Sequence, residues 1–244
     1  MDKDFEARYH QLEGSHWWFL ARRDMLRRLL KDVKPNARIA DIGSSGGVLI
    51  KFLQERGFTN VFGIDNSFDA ALACQQKGID WTCVMDSEFP AFRDATFDVV
   101  IASDVLEHMQ KDGEAIAAWQ RILKPKGRLI IFVPAFPILW SSHDEVNHHY
   151  RRYTKRSLQT LLEKAGYDII RCSYWNCVLF LPVFLWRMFE KMRPPTKKKA
   201  AGQLFALPPP INWILYKWLQ GENFLLTKVP PPWGVSLLAV ATRT

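Results

Sequence analysis

The amino-acid sequence predicts an α/β fold built on a mostly parallel sheet. Short apolar segments alternate along the chain with segments of helical periodicity, the pattern of strands joined by crossover helices. These apolar segments are nearly continuous, as expected for strands that are covered on both faces. Several end in an acidic residue, as at Asp41 and Asp65, so carboxylates should gather at one edge of the sheet.

The first strand and the turn that follows it predict a cofactor site. An apolar strand ends at Asp41, a turn of small residues runs from Gly43 to Gly47, and helical periodicity begins at Val48. Glycine lets the backbone approach a ligand closely, and amides at a helix start can donate to carboxylate or phosphate oxygens. A second strand ends at Asp65, about 20 residues past the turn, where a carboxylate can accept hydrogen bonds from ribose hydroxyls.

Two cofactors fit such a turn, a nicotinamide dinucleotide and S-adenosylmethionine. The dinucleotide pattern G-x-G-x-x-G, started at Gly43, would need glycine at Ser45 and Val48. The second pattern, an acid followed by G-x-G-x-G, matches Asp41, Gly43 and Gly47 and departs only at Ser45. On these residues the chain resembles the class I S-adenosylmethionine-dependent methyltransferases.

The resemblance continues in order as far as Pro134. Residues 84–87 resemble the acidic turn after the family's third strand, which faces the adenine, and residues 97–108 and 123–134 resemble the fourth and fifth strands. The resemblance implies a Rossmann-like, mostly parallel seven-stranded sheet with an antiparallel last strand, and S-adenosyl-L-methionine as cofactor. The residues expected to contact that cofactor are Trp17, Arg22, Asp41, Gly43, Ser44, Ser45, Gly47, Asp65, Asn66, Asp86, Ser87, Ser103, Asp104 and His108.

The remaining elements follow from periodicity and capping residues. Helices are predicted over residues 48–56, 67–77, 112–123 and 154–165, the second and last with Ser67 and Thr154 as N-caps. The last two strands, at 167–175 and 234–242, are about sixty residues apart, so a long insertion opens the hairpin that the resemblance implies. The chain then divides into an N-terminal helical lid (1–33), a methyltransferase domain (34–176 and 234–244) and an insertion (177–233).

The N-terminal segment carries aromatic and basic residues ahead of its helical leucines. The leucines are expected to pack on the sheet, while Tyr9, His16, Trp17 and Arg22 border the cofactor cleft. Tyr9 and His16 are therefore candidate substrate-binding residues.

Residues 139–154, after the fifth strand, form the least generic segment. They resemble an H-D-x-x-x-x-H-x-R-R-Y-T signature in a subset of class I methyltransferases, many of which accompany cell-surface polysaccharide and lipid-linked glycan genes. The match implies catalytic roles for His143, Asp144, His149 and Tyr153, and substrate binding by Arg151 and Arg152.

The chemistry of this segment leaves three interpretations open. A histidine near neutral pKa can remove the proton of an oxygen or nitrogen nucleophile, and the arginines can hold a phosphate or carboxylate. The alternatives are a structural turn in which Asp144 pairs with the arginines, or a metal site made of His143, Asp144 and His149. The metal is disfavoured because no cysteine supports it, so no metal is expected.

The insertion is apolar at its start and basic afterwards. Residues 177–186 are apolar, too short to span a bilayer and interrupted by Pro182; a run of cations follows at Arg187, Lys191, Arg193 and residues 197–199. Apolar and aromatic residues beside cations suit a segment lying at a membrane surface. A hydrophobic cap and a dimer interface are the alternatives. Nucleic acid is not expected as a partner, because the cations lie beside apolar residues.

The composition agrees with an intracellular enzyme that meets an anionic partner. The net charge is +8, and the four cysteines contain no C-x-x-C, so reduced thiols and a cytoplasmic location are expected, at the inner face of the membrane. The predicted function is methyl transfer to oxygen of a hydrophobic or lipid-linked acceptor. The alternatives are methylation of a soluble small molecule, a nicotinamide-dependent oxidoreductase, and a non-catalytic membrane-tethered binding protein. The sequence does not indicate an oligomeric state.

Overall fold

The fold is a seven-stranded sheet in the order β3-β2-β1-β4-β5-β7-β6. The computed structural model describes residues 11–192, 206–226 and 229–244. Strands β1 to β5 are parallel, and β7 is antiparallel to both of its neighbours. The predicted Rossmann-like sheet with an antiparallel last strand is therefore confirmed. The strands are β1 (Arg38–Ile42), β2 (Asn60–Asp65), β3 (Thr82–Val84), β4 (Phe97–Ser103), β5 (Leu123–Pro134), β6 (Tyr167–Trp175) and β7 (Ser236–Arg243).

Helices cover both faces of this sheet. One buried cluster holds Phe97, Trp119 and Leu158, and the cluster on the opposite face holds Leu53 and Trp175. The described helices are α1 (Trp17–Leu29), α2 (Val48–Gln54), α3 (Phe68–Gln76), α4 (Asp112–Ile122), α5 (Ser142–Val146), α6 (Lys155–Lys164), α7 (Phe180–Met192) and α8 (Pro209–Leu226).

The helix starts agree with the predicted caps. Ser67 accepts a hydrogen bond from the Ala70 amide at the start of α3, and Thr154 accepts one from the Ser157 amide at the start of α6. A side-chain acceptor of this kind satisfies one of the amides that the first helical turn leaves unpaired.

The insertion folds in part against the N-terminal helix. Helix α8 packs on α1, and the buried Asn223 joins them: its Nδ2 donates to the Ala21 carbonyl at 2.8 Å and to Asp24 Oδ2 at 3.1 Å. The Asn223 Oδ1 accepts from Trp175 Nε1 at 2.8 Å, which ties both helices to the end of β6. The N-terminal helix and part of the insertion thus form one layer.

Pro182 does not interrupt the apolar segment, contrary to the sequence-based expectation. It lies in the first turn of α7, where amides have no acceptor within the helix, so the missing N–H removes no hydrogen bond. Helix α7 therefore continues to Met192. Tyr9, Arg193 and residues 197–199 lie outside the described residues. Among the helices of 11–192, 206–226 and 229–244, none combines the length and apolarity that crossing a bilayer requires.

Candidate active site

The carboxyl ends of the parallel strands bring the predicted cofactor residues together. Asp65, at the end of β2, accepts the Ser45 amide on Oδ2 and the Ser67 amide on Oδ1, both at 2.9 Å. This carboxylate therefore holds the turn after β1 against the start of α3. A ribose diol placed here would meet an oriented acceptor.

The turn after β1 leaves no room for larger side chains. Gly43 has φ +70°, and a Cβ there would lie 2.4 Å from Val105 Cγ2; at Gly47, with φ +72°, a Cβ would lie 2.6 Å from Ile79 Cδ1. Ser45, where the resembled pattern has glycine, adopts φ +50°. Serine thus takes the left-handed conformation that the pattern requires, which explains why this departure is tolerated.

The acids and amides after β2 and β3 also meet at this edge. The Asn66 side chain accepts the Ser87 amide at 2.8 Å, and Asp86 Oδ1 accepts the Glu88 amide at 2.8 Å. The Ser87 carbonyl accepts Trp119 Nε1 at 2.8 Å, which anchors the turn in the core. These residues lie beside one another at the sheet edge, and their contact with an adenine stays a prediction.

The N-terminal segment closes over the turn. Arg22 of α1 forms an ion pair with Asp104, which follows β4. Arg22, Asp41 and Ser103 line a cavity of about 30 Å³ together with Glu13, which has room for about one water molecule. His16 and Trp17 do not line this cavity: the His16 ring nitrogen accepts the Trp18 amide and caps α1, and the Trp17 amide donates to Asn212 of α8.

Carboxyl groups concentrate in this cavity. Burial raises the pKa of Glu13 to about 7, against the lowering effect of its hydrogen bond from Ser45. Burial also raises the pKa of Asp41 well above its ordinary value, and the neighbouring carboxylates of Glu13 and Asp65 raise it further. Arg22 and Arg23 line the same cavity, so these acids already face two cations.

Asp144 is the centre of the signature segment. Its buried carboxylate accepts His149 Nδ1 at 2.9 Å, Arg152 Nε at 2.7 Å and Arg152 Nη2 at 3.0 Å, and it also caps α5 through the Ser141 amide. Burial would raise the pKa of Asp144, but the hydrogen bond from His149 and the charge of Arg152 hold it well below its usual range. An ionised Asp144 makes His149 Nδ1 the donor, so Nε2 is the acceptor in the neutral form of the ring.

The other histidines of the site are uncharged near neutral pH. Burial lowers the pKa of His143 to about 4, and burial together with the neighbouring His149 lowers the pKa of His108 to about 3. The His108 and His149 rings meet edge to face, with centroids 4.6 Å apart. Residues from β4 and from the signature segment therefore face each other at the sheet edge.

The remaining signature residues are bound to protein acids. Arg151 forms an ion pair with Asp112 at 2.8 Å, and the Tyr153 hydroxyl donates to the same carboxylate at 2.8 Å. Burial, with Asp112 beside it, raises the pKa of Tyr153 far above its usual range. With Arg152 bound to Asp144, this is the pairing of acid and arginine that the sequence left open. The geometry favours structural roles for Arg151, Arg152 and Tyr153.

Three residues of this region were not singled out from the sequence. Glu13 reaches this region because the N-terminal segment folds back over the turn. Glu107 directly precedes His108, and that neighbour was its only signal in the sequence. Asn176, after β6, is buried with φ +59°, and in the described part of the chain neither of its amide atoms finds a hydrogen-bond partner. A polar residue directly after a predicted strand was the available signal for Asn176.

Known proteins share this fold and this sequence pattern. The family profile described as "Methyltransferase domain" matches residues 15–171, more than half of the chain. The ubiquinone biosynthesis O-methyltransferase of Thiobacillus denitrificans (strain ATCC 25259 / T1) is 31% identical over 96 residues, 37% of this chain and 41% of that enzyme. The alignment thus spans less than half of that relative's length.

Two solved structures extend the likeness in fold to most of the chain. A chain in the Haloferax volcanii complex between the Trm112 methyltransferase activator and a methyltransferase has a TM-score of 0.64 at 18% identity, and the match covers 98% of this chain and 94% of that one. Phosphoethanolamine N-methyltransferase 2 of Haemonchus contortus, in complex with S-adenosyl-L-methionine, has a TM-score of 0.59 at 18% identity, with 90% and 51% covered. The chain belongs to the methyltransferase-domain family.

Proposed function

We propose that the enzyme methylates an oxygen of a hydrophobic or lipid-linked acceptor at a membrane surface. The observation that carries this proposal is the exposed apolar surface of the insertion. Large apolar side chains face solvent on α7 and α8 and after them, where a monomeric globular domain would expose few together. They are Leu181, Leu185, Trp186, Phe189, Met192, Ile211, Trp213, Ile214, Trp218, Phe224, Leu225, Val229 and Trp233.

A groove beside these helices suits an apolar chain. It has a volume of about 510 Å³ and is lined mainly by apolar side chains, among them Val178, Trp218 and Leu225. Exposed Lys217 lies within 6 Å of the Trp213 and Tyr216 rings, so a cation accompanies the aromatic residues, as at membrane interfaces. An acyl or isoprenoid chain in this groove would leave its head group free to reach the sheet edge.

The reaction needs a group that accepts the proton of the acceptor hydroxyl. Bound S-adenosylmethionine would supply a methyl group on a positively charged sulfur. An oxygen nucleophile would bond to that methyl carbon, and the sulfur would leave as the thioether S-adenosylhomocysteine. We assign the base to His149: Asp144 orients its ring through Nδ1, stabilises the charged imidazolium that forms and leaves Nε2 for the proton. His143 is the weaker candidate, because burial lowers its pKa to about 4.

The N-terminal segment acts in this proposal as a lid. Glu13 and Arg22 occupy the space beside Asp41 and the turn, and the cavity between them is far smaller than the cofactor. Residues 11–29 would move outward to admit the cofactor and then close again. Asn66, Asp86 and Ser87 would hold the adenine end and Asp65 the ribose.

The names of the relatives support an acceptor of this class. A ubiquinone biosynthesis O-methyltransferase and, from Zea mays, phosphoethanolamine N-methyltransferase 1 both align with the core, the second at 26% identity over 105 residues, 41% of this chain and 21% of that enzyme. By their names, one acts in ubiquinone biosynthesis and the other acts on phosphoethanolamine. A soluble small molecule, with the insertion as a cap, is the second candidate, favoured by the packing of α8 on α1.

The test combines cofactor binding with methyl transfer. Calorimetric titration with S-adenosylmethionine and S-adenosylhomocysteine should give micromolar binding that Asp65→Asn abolishes and the exposed Asp80→Asn retains. Incubation with methyl-labelled S-adenosylmethionine and cell extracts should then place the label in the organic-soluble fraction. Label found only in the aqueous fraction would favour the soluble acceptor. Absence of binding in folded protein would contradict the cofactor site described above.

A further inference from the structure

Glu107 has a buried carboxyl group that makes no ion pair and no hydrogen bond to another residue in the described part of the chain. It lies in the short 3-10 turn Leu106–His108 after β4 and is 0% exposed. Within the part of the chain that the structure describes, neither carboxylate oxygen accepts a hydrogen bond from another residue and no cation pairs with it. Its neighbours differ, since Asp104 pairs with Arg22 and Asp144 pairs with Arg152. A buried carboxyl group left without a partner in this way is a candidate metal ligand, because a bound cation would compensate its charge.

Two imidazoles converge on this carboxylate. The ligand atoms of Glu107, His108 and His149 all lie within 4.8 Å of one another. Around a tetrahedral zinc ion, nitrogen and oxygen ligands at about 2.1 Å are about 3.4 Å apart, so side-chain movements of about 1 Å would complete the geometry. The two rings already meet edge to face, which brings their nitrogens toward one region without a clash.

An outer hydrogen bond orients one of these imidazoles. His149 Nδ1 donates to Asp144 at 2.9 Å, and Arg152 holds that carboxylate in place with two further hydrogen bonds. The Nε2 lone pair of His149 is thereby directed away from Asp144. Carboxylate–histidine pairs of this kind fix the tautomer and the orientation of histidine ligands in metal sites.

We propose that Glu107, His108 and His149 bind one divalent transition-metal cation of the zinc class. Two imidazole nitrogens and one carboxylate oxygen suit zinc, cobalt or iron, whereas magnesium and calcium prefer oxygen ligands alone. Three protein ligands leave a coordination position for water or for an acceptor oxygen. The set differs from His143, Asp144 and His149, which the sequence had suggested and disfavoured.

The role of the cation deepens the proposed function and rests on it. An acceptor hydroxyl bound at the open coordination position would have a lower pKa. Its oxygen would therefore lose its proton to water more readily. The metal would then take over the task assigned above to the free imidazole of His149. Cation binding itself depends on no acceptor, so it can be tested alone.

The test titrates the full chain, stripped with chelator and free of any affinity tag. Zn²⁺ binding by calorimetry should show one site of micromolar affinity or tighter. Co²⁺ should give visible absorption of the intensity that a four-coordinate site produces. Glu107→Gln and His149→Asn should each weaken Zn²⁺ binding by about tenfold or more. His148→Asn, which changes an exposed histidine one residue away, should leave the affinity unchanged.

The controls distinguish the loss of a metal-ligating side chain from a failure to fold. Circular dichroism and S-adenosylmethionine titration report whether each variant is folded, and His108→Asn replaces Glu107→Gln if that variant does not fold. No Zn²⁺ binding, or equal binding in wild type and in all folded ligand variants, would overturn the site. Methyl transfer to the organic-soluble fraction that chelator treatment leaves unchanged would overturn the role of the cation while the proposed function stands.

Discussion

His149 Nδ1 lies 2.9 Å from Oδ1 of Asp144, and this contact determines which imidazole nitrogen faces the sheet edge. The same carboxylate is held by Arg152, so a buried anion and a buried cation balance each other beside the ring. The arrangement predicts a larger effect on stability than on cofactor binding, because Asp144 is bound to His149, Arg152 and the Ser141 amide and is not among the residues expected to contact the cofactor.

Asp144→Asn should therefore destabilise the protein without weakening the binding of the cofactor. The substitution leaves the guanidinium of Arg152 buried without an opposite charge, and removing one partner of a buried pair costs about 3 kcal/mol in free energy of unfolding. Urea denaturation measures this loss, and S-adenosylmethionine titration should give an unchanged Kd. In Asp144→Asn/Arg152→Met, which removes both charges, part of the stability should return. A double variant no more stable than Asp144→Asn would contradict this account.

Local patterns encoded most of the fold but only part of the site. The alternation of strands with helices and the caps at Ser67 and Thr154 could be predicted, because each depends on periodicity or on residues three apart. The antiparallel last strand was implied only by the family resemblance. Glu13 reaches Ser45 across 32 residues of sequence, a contact that depends on how the N-terminal segment folds back. The roles of adjacent residues are equally non-local, since Arg152 turns to Asp144 while Tyr153 turns to Asp112.

Alanine substitution should distinguish a glycine that lies against a neighbouring side chain from one that faces open space. In Gly43→Ala the new Cβ would lie 2.4 Å from Val105, whereas at Gly57, with φ +89°, nothing lies within 4 Å. Both substitutions impose the cost of a left-handed alanine, about 1 kcal/mol, and only the first adds a collision. Gly43→Ala should thus lose at least about 2 kcal/mol and weaken S-adenosylmethionine binding, as measured by denaturation and calorimetry. Equal losses at the two positions would refute the collision.

Glu13 should make the stability of the cofactor-free enzyme fall as the pH rises. Its pKa is raised from 4.5 to about 7, so the folded protein keeps a proton that the unfolded chain has already lost. This contribution is fully present below about pH 4.5 and is lost as the pH rises through about 7. Glu13→Gln cannot lose the proton and should be more stable than wild type by about 3 kcal/mol at pH 8.

Denaturation curves at pH 5, 6, 7 and 8 measure this difference. The gap between Glu13→Gln and wild type should widen between pH 5 and pH 7 and level off by pH 8. Glu145→Gln, at an exposed position on α5, should follow wild type throughout. A gap for Glu13→Gln that does not change with pH would show that Glu13 is not buried among carboxylates as described.

Asn223 should couple the insertion to the lid helix. Asn223→Ala removes three hydrogen bonds and leaves Trp175 Nε1 buried without an acceptor, which costs about 3 kcal/mol. Hydrogen exchange should accelerate along α1, and S-adenosylmethionine should bind more weakly, because α1 carries Arg22. Gln220→Ala, on the same helix but partly exposed, should leave exchange in α1 unchanged. Faster exchange confined to α8 would show that the two helices are not coupled.

The tryptophans of the insertion should bind membranes more strongly than equally exposed tryptophans elsewhere. Trp186, Trp213 and Trp218 are 53%, 59% and 58% exposed, and Trp81, beside β3, is 56% exposed. Cosedimentation with phosphatidylglycerol vesicles should show binding by the wild type. The triple variant Trp186→Ser/Trp213→Ser/Trp218→Ser should weaken this binding by about tenfold or more, because each substitution removes apolar area that the membrane interface buries. Since exposure is matched, Trp81→Ser removes a similar side chain from a different surface and should bind as wild type does. Equal weakening by both variants would indicate non-specific adsorption. Unchanged binding in the triple variant would place the contact elsewhere and favour a cap for a soluble acceptor.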